Sequence, residues 1–486
     1  MTAPRTQDRA ERRHADGADR PLGAAAVVVG GGLAGITAAL ELADAGLRVT
    51  LVEGRPRLGG LAFSFRRGEL TIDNGQHVYL RCCTAYRWFL DRVDAAALAP
   101  LQSRLDVPVL DVGHPSGRPR LGRLRRTGLP VPLHLAASLA TYPHLSLAER
   151  AKVGRAALAL GGLDLDDPAL DGEDFASWLR RHGQSSRAVE ALWDLVGVAT
   201  LNATADKSSL GLAAMVFKTG LLSEPGAADI GWARVPLGEL HDTRARAALE
   251  AAGVRTELRT RATAITRGED GGWHVDIEAG TGRAERLDAD AVVLAVPQRE
   301  THGLLPEGAL DAPDRLLEIG TSPILNLHVV YDRKVLRQPF FAALGSPVQW
   351  VFDRTDSSGL GERADGGQYL AVSQSAAHED IDRPVAELRE RYLPELQRLL
   401  PATRGAAVRD FFVTRERTAT FAPDPGVGRL RPGAPTNTPG LYLAGAWTAT
   451  GWPATMEGAV RSGVTAAGAA LSGLGRPHRN PLRGAV

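Results

Sequence analysis

The sequence predicts an α/β fold, and three observations carry that expectation. An apolar run, Ala24 to Val29, meets a glycine turn, a helix-like segment and a second apolar run, Arg48 to Glu53. Two more short apolar runs, Asp290 to Pro297 and Gly440 to Gly445, return far downstream. Between these lie a mostly helical stretch and several strand-like runs with alternating polarity. Short continuous apolar runs are buried parallel strands, and alternation marks strands with one covered face.

The first unit reads as strand, tight turn, helix, strand. Gly30 permits the sharp turn, Gly32 lets the backbone approach a pyrophosphate, and Gly35 lets the helix pack on the strand. Leu33 and Ala34 open the helix, whose free N–H groups and positive dipole end suit phosphates. Glu53 ends the second strand 18 residues past Gly35, close to the roughly 20 expected for an acid on ribose hydroxyls. This order is that of a Rossmann-like dinucleotide-binding unit. Arg57-Leu58-Gly59-Gly60 follows at once. Its glycines allow close backbone approach, and the planar donors of Arg57 suit phosphate charge.

That tetrapeptide, placed after the ribose acid, resembles the Arg-x-Gly-Gly signature of FAD proteins of the amine oxidase and phytoene desaturase superfamily. Three longer runs narrow the resemblance to the hydroxysqualene dehydroxylases of hopanoid biosynthesis. They are Asp73-Asn74-Gly75-Gln76-His77, the segment Trp193 to Asn202, and the segment Leu443 to Ala459. The likeness extends from about Ala24 to Leu471. One departure is Ala446, where the superfamily often has Asp, so a side-chain contact to the cofactor is absent there.

The resemblance implies a Rossmann-like FAD-binding domain, discontinuous in sequence, with an α+β substrate-binding domain. The expected boundaries are 23–95, 235–300 and 432–472 for the first and 96–234 and 301–431 for the second, with tails at 1–22 and 473–486. It also implies that Ala262, by position, meets the adenine. Gly445, Ala446, Met456, Glu457 and Ala459 approach the flavin, with Glu457 equally readable as a helix-terminal charge. FAD is expected to be non-covalent, because no cysteine lies near Gly445 in sequence. The implied reaction is removal of the allylic hydroxyl of hydroxysqualene, a C30 isoprenoid, by reduced FAD. Hydroxide leaves poorly, so a proton donor is needed; His77 is the first candidate and Asp73 the second. Asn202 and Trp452 are candidates for the substrate wall.

Bulk properties constrain the partners. With 57 basic and 56 acidic residues there is no global field for nucleic acid. The basic residues include only four lysines, an arginine bias that fits a GC-rich source. Adjacent Cys82 and Cys83 offer neither metal-ligand spacing nor easy bridging, so a reducing cytoplasm is expected. The histidines are dispersed, and no metal is expected. The polar first twenty or so residues read as a disordered tail rather than a signal peptide.

Three stretches lack charge: Pro21 to Leu40, Gly128 to Ala148 and Pro432 to Met456. Glycines and prolines break all three, so no transmembrane span is expected. Gly128 to Ala148 reads either as core helix and loop or as the mouth of a lipid tunnel on a membrane surface. The insoluble substrate implies peripheral membrane contact at the inner face. The electron donor is not identified. The rival readings are an oxidative carotenoid-type desaturase, a non-catalytic isoprenoid escort and, more weakly, an amine oxidase.

Overall fold

The computed structural model describes residues 23–113, 118–363 and 366–483. The N-terminal stretch expected as a tail lies outside the described residues. The chain begins with β1 (Ala25–Val29), α1 (Leu33–Asp44) and β2 (Arg48–Glu53). The valines of β1 are buried on both faces, as a central parallel strand requires. Helix α1 stops at Ala45, and Gly46 takes φ +81° to turn the chain back. A hairpin, Ser64–Arg67 with Leu70–Asp73, leads to β3 (Val78–Leu80) and α2 (Thr84–Arg92).

The stretch expected to be mostly helical contains a second hairpin, β4 (Asp106–Asp111) and β5 (Arg120–Arg125). Strand β5 is an edge strand carrying three arginines, so it has no apolar alternation to betray it. Helices α3 (Ala136–Thr141), α4 (Leu147–Gly161) and α5 (Asp194–Leu201) follow, then β6 (Ile230–Trp232). Next come β7 (Arg255–Leu258), a three-stranded antiparallel sheet across 260–289, and β8 (Ala291–Leu294). The downstream half contributes β9 (Thr321–Tyr331), β10 (Phe340–Leu344), β11 (Trp350–Asp353), β12 (Gln368–Ser375), α6 (Val385–Leu399) and β13 (Val408–Phe421). The last elements are β14 (Leu441–Leu443) and α7 (Met456–Gly473).

Two large sheets organise these elements. The first is a five-stranded parallel sheet in the order β14-β8-β1-β2-β7, drawn from three separated stretches of chain. The second has seven strands in the order β13-β9-β12-β11-β10-β4-β5, antiparallel except where β10 runs parallel to β4. In β9 the apolar Leu325, Leu327, Val329 and Tyr331 join one core with Leu388, Tyr392 and Leu396 of α6. The alternate positions, Asn326 and His328, face the other way and meet the loop after Asp73. The expected alternation is present, but both faces of this strand are buried. Residues 474–483 are tied down, with Arg476 bonded to the Ala45 carbonyl and His478 to Glu41.

One buried ion-pair cluster joins the upstream parts. Asp229, fully buried, accepts from Arg126 (2.6 and 2.8 Å), from Arg81 (3.0 and 3.1 Å) and from the Leu105 amide (2.8 Å). Burial by itself raises a carboxylate pKa, but the hydrogen bonds from Arg126 and Arg81 outweigh it and hold Asp229 below 3.8. A depressed carboxylate pKa contributes stability above the unfolded value, lost as pH falls through the folded value. Asp229→Ala should therefore cost roughly 3–5 kcal/mol at neutral pH. In denaturant titrations the gap between parent and variant should close only below about pH 4.

Candidate cofactor and active site

Two glycine turns form the centre of the site. The Gly59 amide donates to the Gly31 carbonyl at 2.9 Å, so the Arg57–Gly60 turn is bonded directly to the turn before α1. A Cβ on Gly60 would lie 2.9 Å from the Gly32 Cα, and one on Gly35 would lie 1.8 Å from the Gly30 carbonyl oxygen. Gly30 itself has φ +110°, and its Cβ would strike the Ala295 carbonyl at 2.5 Å. These glycines are forced by the protein's own packing.

Gly32 differs. A Cβ there would meet nothing nearer than 3.8 Å, so the chain itself does not demand a glycine. Gly32 is the N-cap of α1 and supplies no capping side chain, while Leu33 and Ala34 behind it are buried. The first amides of a helix have no intrahelical acceptor, and a buried, uncapped helix start is a ready anion site. Open space, free donors and a positive dipole end fit a dinucleotide pyrophosphate.

The other predicted residues gather around this point. Glu53 accepts from the Gly31 amide (2.7 Å) and the Arg55 amide (2.6 Å). Arg57 donates to the Gly60 carbonyl at 3.1 Å and lies 3.3 Å above the centroid of the Phe63 ring. Leu258 pairs with Glu53, and the stem of Arg261 would lie 3.1 Å from a Cβ on Gly54. Ala262, at a β-bulge, is thus beside the end of β2. Gly463 of α7 packs directly on α1, since its Cβ would lie 2.4 Å from the Ala34 carbonyl. Met456 is about two helical turns from that contact. Thr455 caps α7 through Gly458, and Ala459 donates to the Thr455 carbonyl. The amides of Met456 and Glu457 have no intrahelical acceptor there.

Gly445 takes φ +142° and donates to Ser462 at 2.8 Å. The loop after it is held by a residue the sequence reading did not single out. Buried Arg431 donates to the carbonyls of Ala446, Trp447, Thr448 and Trp452. Burial lowers its pKa to about 10, so it stays a cation. The available signal was position: Arg431 is the last charge before the uncharged stretch from Pro432 to Met456. Trp452 is half-buried, with the Arg461 guanidinium 4.9 Å from its ring centroid.

The Asp73–His77 run is a strut. Buried Asn74 accepts from the Phe63 amide (3.0 Å) and donates to the Leu61 carbonyl and to Glu416 (both 2.9 Å). Its own carbonyl accepts from Thr414 and Asn326. This one residue thus ties the segment after the glycine turn to β13 through its side chain and to β9 and β13 through its carbonyl. His77 is half-buried, and its Nδ1 lies 3.1 Å from the Gly75 carbonyl, an acceptor only, so Nδ1 carries the hydrogen. Burial lowers its pKa below 6.5, and at neutral pH Nε2 is an acceptor. Nearby His241, bonded to the Ala62 carbonyl and to Tyr86, is pushed by burial down to about 4.

Three of the candidate residues are held by hydrogen bonds within the protein. Asp73 accepts from Ser64 (2.7 Å), the Leu237 amide (2.9 Å) and Arg354 (2.8 Å), so three donors already engage its carboxylate. The Glu457 carboxylate is engaged within the protein, leaving its backbone amide as the group at the start of α7. It accepts from the Ala85 and Tyr86 amides at the start of α2 and pairs with Arg461. Asn202, in the left-handed region at φ +56°, is a structural residue at the end of α5. It donates to the Ser322 carbonyl and to Thr420 and accepts from the Ala376 amide, which leaves no amide atom for a substrate wall. Asn202→Ala should cost about 3 kcal/mol or more in denaturant midpoint experiments while flavin stoichiometry stays unchanged.

Comparison with known proteins agrees with this geometry. The profile described as flavin containing amine oxidoreductase matches residues 33–471. A hydroxysqualene dehydroxylase of Rhodopseudomonas palustris is 30% identical, over 87% of this chain and 92% of that protein. A carotenoid phi-ring synthase of Streptomyces griseus is 29% identical, over 87% and 82% respectively. Among solved structures, cyclohexylamine oxidase from Brevibacterium oxydans shares the fold, with TM-score 0.68 and 19% identity over 93% of this chain and all of that one. Among the described residues no helix is long and apolar enough to cross a membrane. With its two bonded glycine turns and the uncapped start of α1, the chain belongs to the flavin containing amine oxidoreductase family and is an FAD-dependent oxidoreductase.

Proposed function

We propose that the protein reductively removes the allylic hydroxyl of hydroxysqualene, a C30 isoprenoid, to give squalene. The observation that carries this reading is the Asp73–His77 run, which Asn74 fastens to Leu61 and Phe63, directly after the Arg57–Gly60 turn, with the titratable His77 three residues on. When bound non-covalently in its reduced form, FAD supplies a hydride to the allylic carbon. The residues that hold it are Gly30, Gly32, Leu33, Ala34, Gly35, Glu53, Arg57, Gly59 and Gly60, with Ala262, Gly445, Ala446, Met456, Glu457 through its amide, and Ala459. An unidentified donor supplies the electrons.

The chain itself must protonate the leaving hydroxyl and shelter positive charge. His77 keeps its Nδ1–H on Gly75, so a second proton at Nε2 is the one it can give. Trp232 stands opposite Val78 in the β3–β6 pair. Its ring packs edge-on to Phe340 (centroids 5.4 Å apart), with Trp350 and Phe352 behind. An aromatic cluster beside the His77 strand suits a developing allylic cation, a contact worth about 0.5–2 kcal/mol. Exposed Leu61 and Val78 offer apolar surface on either side of the run.

The glycine geometry separates cofactor binding from folding. Gly32→Val should fold normally yet purify without flavin, because its side chain enters open space at the helix start. Gly35→Ala should instead lower the unfolding temperature of flavin-free protein, because its Cβ meets the Gly30 carbonyl. A fully yellow Gly32→Val protein rejects the cofactor assignment.

The donor role has a definite pH sign. Because the His77 pKa is lowered, its donor form grows only as pH falls below 6.5. Turnover should rise on that acid side, and His77→Gln should abolish the rise and slow turnover about 10²-fold with FAD retained. Anaerobic mixing of reduced enzyme with hydroxysqualene should yield squalene and oxidised flavin. If only a polyene reacts, and only with oxidised flavin, the protein is a desaturase instead.

A further inference from the structure

The stretch from Arg118 to Leu158 has no part in the site described above, and its surface is unusual. From Gly128 to Ala148 there is no Asp, Glu, Lys or Arg. Rather than lying in the core, much of this stretch is at the surface. Leu121 on β5, Leu129, Leu133, Leu147 and Leu158 are each at least half exposed, with Leu147 at 78%. Scattered exposed leucines are ordinary, but these five fall on adjoining elements. Ser138 of α3 is bonded to the backbone of both Arg123 and Arg125 on β5, so α3 lies along that strand. Arg150 of α4 bonds the Leu145 and Ala140 carbonyls, which fastens α4 to the end of α3. On α4 itself, Val153, Ala156 and Leu160 face inward, while Leu147, Ala151, Arg155 and Leu158 form the outer ridge.

Charge surrounds this platform on one side of neutrality. Between Arg118 and Leu158 there are eight basic residues and one acidic one, Glu149, in a chain whose formal net charge is +1. Asp106 pairs with Arg123 and Arg125, and Asp229 with Arg126, yet the balance stays positive. Leu121, Arg123 and Arg125 share one face of β5, which mixes apolar and cationic groups as interfacial segments do.

We propose that this face, built from β5, the 128–135 loop, α3 and the outer ridge of α4, docks the protein on an anionic phospholipid bilayer. A second copy of the chain fits less well, because a symmetric contact sets the same basic residues against each other with one acid between them. A bilayer accepts the leucines into its acyl boundary and the arginines at its headgroups, with the arginine stems lying along the apolar surface. The inference deepens the reading of an isoprenoid substrate, which resides in lipid, but its test uses no substrate.

The test is cosedimentation of the full-length flavoprotein with vesicles of phosphatidylcholine alone or of phosphatidylcholine with phosphatidylglycerol, at low and high salt. Binding is expected to the anionic vesicles, weakening with salt. The triple variant Leu129→Asp, Leu133→Asp, Leu147→Asp should lose at least about tenfold in affinity, and Lys152→Glu with Arg155→Glu a similar factor on anionic vesicles only. Flavin content and unfolding temperature should match the parent, since all five residues are exposed. The proposal is overturned if the parent binds neither vesicle, or if the triple variant binds as well as the parent. It is equally overturned if the parent is a dimer in solution that the triple variant converts to monomer. Failure of the hydroxysqualene assay alone would leave vesicle binding intact and so reject only the reaction.

Discussion

A single backbone hydrogen bond, Gly59 N–H to Gly31 C=O, fixes where everything else must go. It joins two turns whose Cα atoms approach so closely that neither Gly32 nor Gly60 has a neighbour's side chain between them. A side chain on Gly60 would push the turns apart, and with them the helix start of α1 away from Glu53, whereas Gly32 faces open space. With the turns locked, Glu53, Arg57 and the amides of α1 present donors and acceptors to one small volume. The parallel sheet behind them, with β1 at its middle, is the rigid base that keeps this arrangement from relaxing.

The second sheet is coupled to that volume through few groups, which makes each of them consequential. Asn74 bridges directly, from Leu61 and Phe63 on one side to Glu416 on the other. Arg354 does the same at longer range, joining Asp73 to the Ala233 carbonyl. Behind Asn74 a directed chain runs from the Tyr369 hydroxyl through His328 and Thr414 to the Asn74 carbonyl. Burial drives the His328 pKa down to about 3, so the chain is neutral and its donor order does not change across physiological pH. The polar face of β9 is therefore a fixed support rather than a titrating one.

Much of the first sheet was legible because its rules are local. The spacing from Gly30 to Glu53 encodes a strand, a turn and a helix that fit together without reference to distant residues. The Asp73–His77 run was legible as a signature, but its structural meaning was not. Nothing in the local sequence says that Asp73 pairs with Arg354, 281 residues later. The same holds for Glu457, whose carboxylate is spent on α2, and for Asn202, whose partners come from three separate strands or their ends. Strand β5 escaped notice for a different reason. An edge strand made of Arg-Leu-Gly-Arg-Leu-Arg takes its order from backbone pairing with β4, and pairing leaves no apolar pattern in sequence.

The three-part origin of the parallel sheet also bears on how the protein is made. Strand β8 reaches its partner β14 only after roughly 150 further residues have been synthesised. Until then β8 presents an open edge of apolar, β-branched residues, a surface prone to pair with the wrong strand. Gly445, Arg431 and α7 arrive in the same late window, so no partial chain can close the cradle around a cofactor. Vectorial synthesis therefore leaves the first-made turns, Gly30 to Gly60, waiting for a segment that begins at Arg431, near the end of the chain.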